Sequence, residues 1–305
     1  MVECSALHTP RGRLWLKHDG LTHPVYGGNK IRKLLFVLDE IERLGARRIL
    51  TFGTTGSHHV LATALLARAR GMETAAILTP QPMTAHVEEM NRAIVAQGVQ
   101  IYRANSMLGV PFVFLSAQER GDYVLAPGAS TPLGARGYAM AVLELARQVR
   151  AGQLPEPDVI VVPLGSGGTA AGLLAGLVHF GMKSRLLAVL VSKTPLARAH
   201  VLRLAKKTLE AMGSLADPSE LEGRLVVDRE QLGEGYGHAP DEYELLAELA
   251  RRDLRLVLDE TYTAKAFAAA LSLVRSSVPR ERPLDVLYWH TLSATSLEPL
   301  LEAHA

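Results

Sequence analysis

Short apolar runs alternate with stretches of helical period along most of this chain, and that alternation limits the fold more than any other feature. Residues 30–44 place Ile31, Leu34, Leu35, Leu38 and Ile41 on one helical face and stop at Gly45. Apolar strands are expected at 48–52, 74–78, 99–102, 159–163, 186–191 and 286–289. Helices are expected between them, at 60–70, 84–97, 134–149, from 169 onward and at 195–212. Strands joined through helices pair in parallel, with the helices as crossovers. The expectation is an α/β protein of two parallel-sheet, three-layer domains. A small domain takes residues 46–150; a larger one takes 1–45 plus 151–305, after the turn-rich stretch 152–157. A ligand belongs in the cleft between two such units.

Composition narrows the partners. With 305 residues, 48% hydrophobic and 21% charged, the chain can bury a sizeable core. A net charge of +2 gives no basis for nucleic acid or a membrane surface. The most apolar stretch, 159–182, is broken by Pro163 and several glycines, so it reads as a buried strand plus helix and not a membrane span. One cysteine, Cys4, rules out an intrachain disulfide, and no basic start leads into an apolar run. A reducing, cytoplasmic location is the expectation.

Three helix entrances carry chemistry. In Tyr26-Gly27-Gly28-Asn29-Lys30, the glycines leave backbone room and Asn29 suits an N-cap. The positive helix end and the neighbours Arg32 and Lys33 would favour a neutral Lys30 amine, the form that traps carbonyls. Gly165-Ser166-Gly167-Gly168-Thr169 follows a buried strand and opens a helix, a phosphate cradle by position and composition. It lacks the lysine of a nucleotide P-loop, and the dinucleotide spacing fails at Ala170. Gly53 to His59 brings Ser57, His58 and His59 to a third helix start. Adjacent histidines do not share a helix face, and no His-Glu-x-x-His occurs, so no metal is expected. Tyr236 lies between glycines, Tyr262 at a helix start, and Trp289 to Ser293 ends a buried strand.

Together these residues resemble pyridoxal 5′-phosphate enzymes of the tryptophan-synthase-β type, fold type II. Within them the chain is similar to the 1-aminocyclopropane-1-carboxylate deaminase and D-cysteine desulfhydrase group, from about Leu14 to Leu300. The most specific match is Gly27 to Leu34, on Gly-Gly-Asn-Lys-x-Arg-Lys-Leu. The resemblance implies a homodimer in which Lys30 carries the cofactor as a Schiff base, with Asn29 beside it. It implies that Gly165, Ser166, Gly167, Gly168 and Thr169 hold the phosphate and Thr291 faces the ring nitrogen. Ser57, His58, His59 and Thr263 would meet a small amino-acid substrate, and Lys30, Ser57, Tyr236 and Tyr262 would be catalytic. His58 stands where the group has an Asn against the phenolic oxygen, and Leu292-Ser293 where it has Gly-Gly. Thr263 and Thr291 replace the Glu and Leu of cyclopropane-opening members. The implied activity is β-elimination to a 2-oxo acid and ammonia; cyclopropane ring opening, or a homologue that binds the cofactor without turnover, are the alternatives.

Overall fold

The computed structural model describes residues 2–233, 242–276, 278 and 281–301. In chain order it begins with β1 (Val2–Glu3), β2 (Gly12–His18) and α1 (Asn29–Arg43). Next come β3 (Arg48–Thr54), α2 (His58–Arg68), β4 (Glu73–Thr79), α3 (Ala85–Ala96), β5 (Gln100–Arg103), α4 (Val110–Ala117) and β6 (Tyr123–Val124). The long α5 (Pro132–Arg150) leads to β7 (Val159–Leu164), α6 (Gly168–His179), β8 (Arg185–Leu190), α7 (Ala197–Ala211), α8 (Glu220–Arg224) and β9 (Leu225–Asp228). The described chain closes with α9 (Glu242–Leu254), α10 (Thr263–Arg275), β10 (Leu284–His290) and α11 (Glu298–Leu301).

Two sheets result. One has six strands in the order β1-β2-β10-β7-β8-β9, the other four in the order β5-β4-β3-β6. Among the described residues, every pairing between these strands is parallel except β1 with β2. Each sheet is covered on both faces, as parallel sheets require. Against the larger sheet, α5, α6 and α7 pack on one face around Trp15, Leu164 and Trp289. Helices α9 and α10 pack on the other around Leu14, Val161, Phe267 and Tyr288. On the smaller sheet, α1, α2 and α3 share a core with Ile49 and Leu78, while Val113 and Phe114 of α4 pack on Leu50 and Ile77. The α/β, two-sheet, three-layer expectation therefore holds. No helix among the described residues is long and apolar enough to cross a membrane.

The cores divide the chain differently from the expected 46–150 and 1–45 plus 151–305. Ile31, Leu34, Val37, Leu38 and Ile41 of α1 join the small-sheet core, as do Leu297 and Leu300. Tyr138, Ala141, Val142 and Leu145 of α5 join the large-sheet core. The apolar faces decide this, whatever the chain position of the helices.

One buried network fixes α1 against the larger sheet. Asp19, fully buried, accepts from Arg32 Nε (3.0 Å) and Nη2 (2.9 Å) at Oδ1, and from Tyr138 Oη (2.5 Å) and Trp289 Nε1 (2.8 Å) at Oδ2. Arg32 also reaches Glu144 on α5 at 2.9 Å, and Glu144 accepts from Lys17 at 2.5 Å. All four Asp19 contacts involve ionised or buried groups, where such bonds are strong and costly to leave unmade.

Candidate active site

The Lys30 helix starts from a strained turn. Gly28 is the N-cap with φ 90°, a backbone state that favours glycine, and a Cβ there would press on the Thr291 carbonyl at 2.8 Å. Asn29 N donates to that carbonyl at 3.0 Å, so the end of β10 is stitched to the start of α1. Ser293 Oγ accepts from Gly27 N at 3.1 Å, a bond that a glycine at 293 could not make. Asn29 is the first helical residue, not the expected cap. Its side chain turns inward: Lys30 Nζ donates to Asn29 Oδ1 at 2.7 Å, and Asn29 Nδ2 donates to Thr169 Oγ1 at 3.2 Å.

Burial pushes the Lys30 amine down to about 8, with Asp259 pulling it back up. The cause differs from the sequence expectation. Arg32 is turned away to Asp19, and desolvation comes first. Lys33, one turn on and buried, is itself held well below the ordinary lysine range by burial and then by Lys30.

The loop before α6 has no room for side chains at its glycines. Gly167 has φ 87°, and a Cβ on Gly168 would lie 2.6 Å from Ser130 Oγ and 2.9 Å from Ser130 Cα. Gly168 N donates to Ser130 Oγ at 3.1 Å, and Ser130 Oγ donates to Ser166 Oγ at 2.7 Å. First-turn N–H groups of a helix have no acceptor within it, and the helix field adds to their pull on an anion. Thr169 contributes the hydroxyl that Asn29 ties to Lys30. Tyr262 covers the loop from the other side, its Cε1 within 3.0 Å of where a Gly165 Cβ would stand.

At the α2 start, Ser57 is the N-cap and accepts from Val60 N at 3.4 Å. His58 Nδ1 is 2.5 Å from Tyr26 Oη, and its Nε2 is 3.5 Å from His86 Nε2. Burial pushes the His58 ring down to about 4; His86 and Lys30 push the same way and Asp259 opposes. Both Lys30 and His58 therefore feel Asp259, an acid to which the sequence reading gave no role. Asp259 caps α10: Oδ1 accepts from Tyr262 N at 2.7 Å and Oδ2 from Thr263 Oγ1 at 2.7 Å.

The structure brings Lys30, Asn29 and Thr169 into one hydrogen-bonded chain, with Thr291, Tyr262 and the loop 165–168 around it and His58 within reach of its charge. Two expected residues stand apart. His59 is turned toward β3, buried, with Nε2 2.9 Å from Thr51 Oγ1. One residue further along a helix is about 100° further round it, so His59 faces the core when His58 faces Tyr26 and His86. Thr263 is fully buried and its hydroxyl is bound to Asp259. Neither is placed to meet a substrate. Tyr236 lies outside the described residues. Among the described residues no group of three or more histidine, cysteine, aspartate or glutamate side chains could hold a metal ion.

The donor set fits a phosphorylated aldehyde: a desolvated lysine amine for the carbonyl, and a side-chain-free helix start for the phosphate, joined through Asn29 and Thr169.

Known proteins give the same picture. The sequence profile of a family described as pyridoxal-phosphate dependent enzyme matches residues 1–290. Nocardicin C-9′ epimerase from Nocardia uniformis subsp. tsuyamanensis is 32% identical over 289 residues, covering 92% of this chain and 86% of that protein. Among solved structures, an ACC deaminase homologue superposes with a TM-score of 0.80 at 25% identity, covering 96% of this chain and 89% of its own. A hydrogen sulfide-producing enzyme from Fusobacterium nucleatum superposes with a TM-score of 0.64 at 15% identity, covering 92% and 90%, a likeness of fold.

Proposed function

The chain belongs to the pyridoxal-phosphate dependent enzymes, with pyridoxal 5′-phosphate as its cofactor, and on that premise we propose that it is a deaminating lyase. It takes the α-proton from a small amino acid and expels a β-substituent, and hydrolysis then yields a 2-oxo acid and ammonia. One observation carries the reading: the Lys30 amine, pushed down to about 8, is tied through Asn29 to the phosphate cradle. The cofactor, when bound, supplies an aldehyde that captures amines and a ring that stores the electrons left at the α-carbon.

The chain's own groups do the rest. Lys30 near neutrality is the base for the α-proton. Ser57, at the positive end of α2, receives the substrate carboxylate. Asn29 donates toward the phenolic oxygen, while both ring nitrogens of His58 face other side chains, Nδ1 the Tyr26 hydroxyl and Nε2 His86. Thr291 meets the ring nitrogen with a neutral hydroxyl, which leaves the ring a modest electron sink and favours elimination over transamination. Tyr262, lying over the cradle, covers the ring or protonates the leaving group.

A second reading is epimerisation at the same α-carbon. It is supported by the relative described as an epimerase, and by a second acid–base side chain, His58, near Lys30. Both readings start with the same proton. Incubation with both enantiomers of cysteine, serine and alanine in D2O separates them. Elimination predicts 2-oxo acid release from a substrate with a β-leaving group. Deuterium at the α-carbon with inverted configuration and no 2-oxo acid would favour the epimerase. Failure of Lys30→Ala to abolish the visible band of lysine-bound cofactor would remove Lys30 from either scheme.

A further inference from the structure

Tyr26 and His86 have no part in the scheme above, yet they bracket His58 on both sides. Tyr26 is buried in the turn before α1, and its hydroxyl lies 2.5 Å from His58 Nδ1. His86 is exposed on the first turn of α3. Its Nε2 lies 3.5 Å from His58 Nε2, with ring centroids 5.5 Å apart and planes inclined by 34°. The three side chains come from three separate segments, so no local turn explains their alignment. A hydroxyl both donates and accepts, and an imidazole takes a proton at one nitrogen while releasing one at the other. Water reaches one end of the chain, at His86; the other is the Tyr26 hydroxyl, buried beside His58, whose ring feels the charge of Lys30.

The groups facing His58 suit such a relay. Tyr26 comes from the turn before α1, Lys30 from α1, His86 from α3 and Asp259 from ahead of α10. Lys30 and His86 oppose a charged ring, and Asp259 favours one. A ring kept neutral has one nitrogen free to accept while the other gives.

We propose that Tyr26, His58 and His86 form a proton path between the active site and solvent, with His86 as its outer end. This rests on the α-proton chemistry proposed above. For an inward transfer, a proton on His86 Nε2 passes to His58 Nε2. The proton on His58 Nδ1 passes to the Tyr26 oxygen, and Tyr26 gives its own hydroxyl proton to the neutral Lys30 amine, which becomes an ammonium. His58 and Tyr26 end with as many protons as they began with, and His86 is recharged from water. Outward transfer is the reverse. His86 meets the His58 ring and acts through it.

The test compares holoenzyme of wild type, His86→Gln and Tyr26→Phe. The readout is α-proton exchange with D2O at fixed pH over a range of imidazole concentrations. The probe is whichever enantiomer of alanine, serine or cysteine the wild type exchanges fastest. In His86→Gln, exchange at low buffer should fall several-fold, less than the ~100-fold typical of losing a group that itself moves the reacting proton. Added imidazole should restore it, because the lost ring is at the surface. Tyr26→Phe should be slowed without rescue, because its position is buried. The wild-type rate should not depend on imidazole. If His86→Gln matches wild type at every imidazole concentration, or is slowed and not rescued, the path is wrong. If the wild type exchanges no α-proton, the catalytic reading falls first and the path with it.

Discussion

Two walls meet around Lys30, and they are built on different principles. The α1 and α6 entrances form one wall. Its geometry comes from backbone and buried groups: Gly28 and Gly167 in left-handed conformations, the Gly168–Ser130 contact and the Asp19 network. The α2 entrance forms the other. It presents side chains, Ser57 and His58, on a loop whose cap bond is long at 3.4 Å. On the proposed function the first wall holds a phosphate and a lysine-bound aldehyde, which demand the same contacts whatever the substrate, so it has little freedom. On the same proposal the second wall meets the part of the ligand that differs between reactions. His58 in place of an asparagine is a change on that wall, and nothing in the first wall has to move to accept it.

If the comparison is right, damage to the first wall should appear as lost folding or lost cofactor. The largest effect is expected for Asp19→Ala, which leaves Arg32, Tyr138 and Trp289 buried without their shared acceptor. Removing one partner of a buried charge pair costs about 3–5 kcal/mol. Urea unfolding of the cofactor-free protein measures it, and a loss under about 1 kcal/mol would mean that Arg32 finds another partner. Next comes Gly168→Ala. Its added methyl meets Ser130 Oγ at 2.6 Å and Ser130 Cα at 2.9 Å, so the loop must open. Cofactor affinity should fall about 100-fold, close to 3 kcal/mol, with secondary structure unchanged. A cofactor titration showing wild-type affinity would relocate the phosphate.

How much of this was legible in the sequence follows the same division. The α6 and α1 entrances are contiguous motifs, so the glycine turns that open both helices could be read directly. Asp19 could not, because its partners Tyr138 and Trp289 lie 119 and 270 residues away. Asp259 was in plain view four residues before Thr263, but its effect on Lys30 and His58 exists only after folding. His59 and Thr263 were misplaced for the converse reason. Each sits in a site motif, and helix phase or a cap bond turns it elsewhere. The sheet order was open too: β2 lies beside β10 although 265 residues lie between His18 and Leu284.

A pH series refines the first wall further. Lys30 titrates near 8 in the folded chain against an ordinary 10.5. Below about 8 the amine is protonated in both states, and burying that charge destabilises the fold. Between 8 and 10.5 the unfolded chain binds the extra proton, so the stability of cofactor-free protein rises with pH across that window. The neutral amine is also the form that captures the aldehyde. The rate of cofactor uptake should therefore climb about tenfold per pH unit below 8 and level off above it. A rise that continues toward 10.5 would show that Lys30 is solvated, and the first wall would lose its defining group.

The smallest effect belongs to the second wall and is the most discriminating. Ser57→Ala removes an N-cap, a change worth about 0.5–2 kcal/mol in general. The 3.4 Å bond to Val60 N is at the long end, so the low end of that range is expected. Ser57 is also the residue assigned to the substrate carboxylate. If it is only a cap, stability falls slightly while KM and kcat are unchanged. If it receives the carboxylate, KM rises well beyond what so small a loss of stability could cause, and cofactor affinity stays as it was. A fall in cofactor affinity equal to that of Gly168→Ala would dissolve the distinction between the walls, because a side chain of the second would then be holding what the first is built to hold.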